Sequence, residues 1–248
     1  MERNTAKRTL EKLLSVCICL CMLGAMLPAQ VFAEEADTAQ TETVQDTAPK
    51  DTVYLSSADD LIQLAKNCRL DSWSQNRTVV LEADIDLSSV DFNGIPSFGG
   101  TWEGQNHAIT GLSLSQDGSV QGLFRYVQQG ALVRDMTVKG RIKPGGTRAS
   151  VGGIAGSNAG TIENCAFDGV VSGTSQIGGI AGVNTVKGSI NGCAVSGTVY
   201  GSHFVGGVVG QNDGVAANCT NAASVNTTVS QNAVSYTHLR AHETRSNL

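Results

Sequence analysis

Seven cysteines, four histidines and 22 carboxylates are the residues of this 248-residue chain most able to do chemistry. Three of the cysteines recur: Cys165 closes "VGGIAGSNAGTIENC", Cys193 closes "IGGIAGVNTVKGSINGC", and Cys219 follows in the same style. Structural zinc needs a tight cluster such as CxxC, whereas these thiols stand 28 and 26 residues apart. Leu112 and Met136 fill the same place in earlier phrases. The position therefore wants an apolar group facing inward, and a reduced cysteine serves there as a small hydrophobe. A disulfide between neighbouring phrases is compatible with an oxidising compartment. Three thiols leave one unpaired, however, and Cys68 lies outside the series, so buried reduced thiols are the expectation.

Paired glycines suggest phosphate, but a phosphate loop is needed once, between a strand and a helix. Here "GG" occurs in three successive phrases with no helix signal after it. Glycines in that pattern serve bends and close backbone approaches. The repeated asparagines Asn158, Asn184, Asn212, Asn164 and Asn218 suit left-handed turns and stacked amide ladders.

The carboxylates offer two sites on paper. Glu82, Asp84 and Asp86 alternate along "TVVLEADIDLSS", which reads as one strand and presents oxygen ligands of the kind calcium takes; a solvated face accounts for them equally well. Asp59 and Asp60 resemble a catalytic diacid, but Ser57 three residues before Asp60 reads as a helix N-cap with acids compensating the dipole. Leu61, Ile62, Leu64 and Ala65 form that helix's apolar stripe. His107 and His203 are isolated. His238 and His242 have i,i+4 spacing, yet Leu239 stands where a zincin needs glutamate. No residue is assigned a catalytic, cofactor-binding or metal-binding role.

The elements that hold these groups follow from repetition. All but one of the 29 glycines lie between Gly94 and Gly214. From the anchor series Leu112, Met136, Cys165, Cys193 and Cys219, apolar residues recur at two (Leu114, Val138, Phe167, Val195) and at six (Ile142, Val171, Val199, Val225). A second anchor opens "[IV]GG[IV]" at Val151, Ile177 and Val205 and is expected next at Val234. The period of two excludes helical repeats. A unit of about 26 residues with two or three short strands predicts one coil of a right-handed parallel β-helix, coils stacking ~4.8 Å apart. The fold class is thus all-β, a solenoid with a short N-terminal capping helix. One coil buries too little apolar surface to offset its ordering, so neighbours must cover each other's edges.

The ends obey other rules. Residues 1–33 carry Arg3, Lys7, Arg8 and Lys12 before an apolar run too short to span a bilayer, and read as a signal peptide cleaved after Ala33. Residues 34–52 form an acidic, disordered linker. Residues 235–248, "SYTHLRAHETRSNL", lack the glycine rhythm and resemble a non-native tail read from adapter sequence. The cap and first coils occupy 53–130, and the regular repeats 131–234. The formal charge is −5. With the leader, the acidic linker and the tail set aside, the body carries a charge of only about −3 and presents no basic face for nucleic acid.

"VGGIAGSNAGTIENC" and its copies resemble the GLUG-motif repeats of secreted bacterial proteins, and "FGGTWEGQNHAITGLSLS" resembles the coils that usually precede them. The resemblance implies a secreted or cell-surface, adhesin-like or stalk region of a larger protein, without cofactors. Its partners would be extracellular, a carbohydrate or a host or neighbouring-cell surface protein. GLUG repeats also accompany peptidase modules, and other β-helices degrade pectin. Arg141-Ile142-Lys143 matches the "RIK" of polygalacturonases, but Ile142 falls on a core position and no aspartate cluster accompanies it. A non-catalytic role is therefore expected. The alternative is a fragment of a β-helical lyase or hydrolase, or the non-catalytic region of a peptidase, with the active site elsewhere.

Overall fold

The computed structural model describes residues 51–145 and 150–227, and the backbone of 233–234. The expected signal peptide, almost all of the linker and the tail lie outside the described residues. What is described is a parallel β-solenoid of about six turns with a single helix.

Every strand pairs in parallel with its counterpart one coil away, and each full coil has four strands, not two or three. In the central coil these are Thr161–Glu163 on face 1, Ala166–Ser172 on face 2, Ser175–Gly178 on face 3 and Ala181–Asn184 on face 4. Only the second glycine of the pair and Ile180 separate faces 3 and 4, so the two strands run together as one in the sequence. Gly179 sits at that corner. A Cβ there would lie 2.3 Å from Val195 Cγ1 and 2.4 Å from the Gly207 carbonyl oxygen, so close approach of a core side chain explains the repeated second glycine.

Register confirms the thiol column in part. Ala166 pairs with Thr137 and with Ala194, and Ala194 with Thr220, which aligns Met136, Cys165, Cys193 and Cys219. Leu112 does not belong to the column. Thr137 pairs with Ala108, setting Met136 beside His107, and a register shift then places Leu112 opposite Gly140 and Leu114 opposite Ile142. The irregularity is a bulge, which adds a residue that counting by twos cannot see. A second slip falls at the last coil: Ala233, not Val234, pairs with Val205. The segment that leads from Val225 to this strand has one residue fewer than the one from Ile142 to Val151.

Inward columns fill the interior. On face 1, Val79, Trp102, Val133, Ile162, Ile190 and Ala216 stack in register and all are buried. Near the N-terminal end Phe98, Trp102 and Phe124 meet with ring centroids 5.2 to 6.0 Å apart, and aromatic volume there does the work that aliphatics and thiols do in later coils. The helix Ala58–Asn67 is capped as expected: the Ser57 hydroxyl accepts from the Asp60 amide, and Leu61 and Leu64 are buried. This covers apolar surface at the N-terminal end of the stack.

Candidate binding surface

The thiols belong to the interior. Cys68, Cys165, Cys193 and Cys219 are free and buried. Each ladder thiol donates to the carbonyl two residues before it (Glu163, Asn191, Ala217) and to one from the preceding coil (Val133, Ile162, Ile190). Burial pushes the Cys165 thiol up to about 12 and the Cys68 thiol up to about 11. The Cys193 thiol is also raised, first by its hydrogen bond with Cys219 and then by burial. Neutral thiols of this kind are weak nucleophiles.

The asparagines divide into two uses. Asn158 Nδ2 donates to Asn184 Oδ1, and Asn184 Nδ2 to Asn212 Oδ1, both at 2.8 Å. This is an amide ladder at the corner after face 4, entered from below by Val127 and Phe98. Asn164 and Asn218 instead adopt positive φ, 51° and 53°, at the corner before the thiol. Asp135 and Gly192 hold the same corner in their coils, also at positive φ.

The acidic strand does not exist as one element. Thr78–Leu81 lies on face 1 and Ile85–Asp86 on face 2, with the chain turning between them. Asp84 accepts from the Ala108 amide at 2.8 Å and contacts His107 Nδ1 at 3.1 Å. Asp86 accepts from the amide and hydroxyl of Ser88, each at 2.9 Å. These bonds, backbone first in both cases, hold the two carboxyls below their ordinary range. Each acid is thus committed to its own turn. Asp60 is likewise lowered, first by the Ser57 hydroxyl and then by the Ser56 amide. Among the described residues no three histidine, cysteine or acidic side chains gather as metal ligands, and no helix is long and apolar enough to cross a membrane. His203 is exposed.

What faces outward is arranged in rows. Face 2 is the broadest, with strands Ala108–Leu114, Thr137–Ile142, Ala166–Ser172 and Ala194–Gly201. Its outward rows are Thr137, Ala166, Ala194 and Thr220; Lys139, Asp168 and Ser196; and Arg141, Val170, Thr198 and Ser224. Ile142 is buried while Arg141 and Lys143 are exposed, so the "RIK" tripeptide is an ordinary alternating strand. Ser196 donates to Asp168 across coils at 2.8 Å. Such a sheet offers a grid of mostly polar groups, interrupted by Ala166, Ala194 and Val170, at ~4.8 Å spacing.

Face 1 holds a cluster that residue-by-residue reading missed. Arg134 engages Glu103 through two bonds, at 2.6 and 2.9 Å, and stands 3.9 Å from Glu163 and 3.7 Å from Asp135. Hydrogen bonding and charge from Glu103 raise the guanidinium pKa. The signal was available, because Arg134 and Glu163 each precede their anchor by two.

The family model described as "The GLUG motif" matches residues 147–172. Halomucin from Haloquadratum walsbyi is 29% identical over 128 residues, which is 45% of this chain and 1% of that protein. A crystal structure from Bacteroides ovatus, described as a "putative immunoglobulin A1 protease", matches with a TM-score of 0.50 at 20% identity, covering 69% of this chain and 66% of that one. The chain therefore spans a hundredth of one relative and less than two thirds of the other, and the second likeness concerns the fold. The chain carries the GLUG motif on a parallel β-solenoid.

Proposed function

We propose that this protein is a non-catalytic repeat scaffold, exported to the cell surface or beyond, that presents an extended polar face to an extracellular carbohydrate or surface protein. One observation carries the reading: coils from Thr137 onward stack in matching register on face 2, so each added coil extends the same outward rows. Repetition of weak polar contacts is a way to gain avidity without a deep pocket. The chain's chemical groups are spent on architecture: thiols in the column, amides in the ladder, acids in turns. The GLUG motif and the likeness to a protein named halomucin agree with a surface role.

The test is retention without turnover. The full chain, immobilised on beads, is passed over surfaces coated with acidic polysaccharide, neutral polysaccharide or mucin, and the eluate is analysed for cleaved coating. Retention on one coating, lost when Lys139, Arg141 and Lys143 are replaced by glutamate, is expected, with no cleavage products. Released fragments, or equal retention of the triple variant, would overturn the reading.

A further inference from the structure

Beside the capping helix lies a groove of about 250 Å³ that the outer faces do not use. The helix lines one wall with Ile62 and Lys66, and the turn after it adds Arg69; the loop before face 4 supplies Asp91 and Phe92; and Arg125 reaches in from the next coil. Among the described residues none of these four charged side chains forms an ion pair. Three cations face one carboxylate, leaving the groove with excess positive charge. The Nε of Arg125 is buried and has no hydrogen-bond partner, whereas buried donors in folded proteins are normally satisfied. The C-terminal helix dipole accounts for Lys66 but not for Arg125, which comes from a separate strand.

We infer that this groove binds a carboxylate-bearing sugar, a hexuronate unit held with its carboxylate at Arg125 and Arg69. A guanidinium fork matches a carboxylate with two parallel bonds, and the orphaned Nε–H, closed to solvent in the empty groove, would be satisfied by such a ligand once the Arg125 side chain turns toward it. Ile62 and Ala65, with the edge of the buried Phe92, give a small apolar wall for the C–H face of a pyranose ring. Asp91 at the rim accepts from ring hydroxyls. The volume lies below the range usual for drug-sized ligands, which suits a single sugar ring. Free hexuronate and a uronate within an acidic polysaccharide share this chemistry. The site is distinct from the face 2 rows, so either proposal can fail alone.

Calorimetric titration of the full chain with sodium glucuronate, an oligogalacturonate, glucose and acetate tests the inference. Glucuronate is expected to bind, the oligomer at least as tightly, and glucose and acetate at least tenfold more weakly, with affinity falling as salt is raised. Arg125→Gln and, separately, the exposed Arg69→Gln are each expected to weaken glucuronate at least tenfold while Lys187→Gln, in the exposed turn between faces 4 and 1, leaves it unchanged. Tighter binding of the oligomer than of glucuronate identifies a polymer source, and equal binding a free sugar. Glucuronate binding no tighter than glucose or acetate would overturn the proposal, as would full affinity in the Arg69→Gln protein; that variant keeps the test valid should Arg125→Gln fail to fold.

Discussion

At the scale of single residues, the same side-chain type serves different ends according to its place in the coil. Asn184 is buried, accepts from Asn158 and donates to Asn212, Gly188 and Val215. Truncating it strands several buried polar groups, so Asn184→Ala should lower unfolding free energy by about 1–3 kcal/mol in a urea titration. Asn212 ends the ladder and is exposed, and Asn212→Ala should cost markedly less; equal costs would mean the ladder carries no buried penalty. The thiols make a pH prediction. An unfolded cysteine releases its proton near 9.0, whereas folded Cys165 keeps it to about 12 and Cys68 to about 11. The raised folded value means that this stabilisation is complete below pH 9 and is lost as pH climbs toward 11 and 12. Under reducing conditions Tm should therefore fall more steeply between pH 9 and 11 in the native protein than in Cys165→Val, and parallel slopes would contradict the account.

At the scale of elements, the cap and the strands differ in what they tolerate. Ser57 caps the helix and its hydroxyl also donates to Asp60 at 2.8 Å, so Ser57→Ala should cost about 1 kcal/mol by thermal or denaturant unfolding. Strands answer to register. One glycine inserted after Val186, which is 75% exposed in the turn between faces 4 and 1, should leave circular dichroism and Tm nearly unchanged. The same insertion after Val195 would turn the apolar side chains that follow in Ala194–Gly201 outward, and should abolish the cooperative transition. If both insertions behave alike, the paired register described for face 2 is wrong. The helix, its cap and the period-two core positions were legible beforehand because each depends on neighbours close in sequence. The break in the acidic segment was not, since alternation continues across a corner as easily as along a strand.

At the scale of the whole stack, each coil leans on the two beside it. Removing residues 165–192 joins Asn164 to Cys193, two residues already neighbours in the repeat, and deletes one full layer. The shortened protein should fold, with its stack shorter by about 5 Å in solution scattering. Failure to fold would mean that the coils are not interchangeable. Removing the capping strand and helix, residues 52–67, should be far more damaging, because it exposes the buried face that Leu61 and Leu64 cover.

The chain's own letters determined the repeat length, the strand class, the inward column from Met136 to Cys219 and the capped helix. All of these rest on local periodicity, which a linear text preserves. Four faces instead of two or three, the bulge that moves Leu112 out of the thiol column, the Arg134 cluster and the cationic groove became visible only in three dimensions. Each arises from residues on different coils, such as Glu103 with Arg134 or Arg69 with Arg125, brought together by corners whose geometry depends on backbone angles and close packing that spacing along the sequence does not encode.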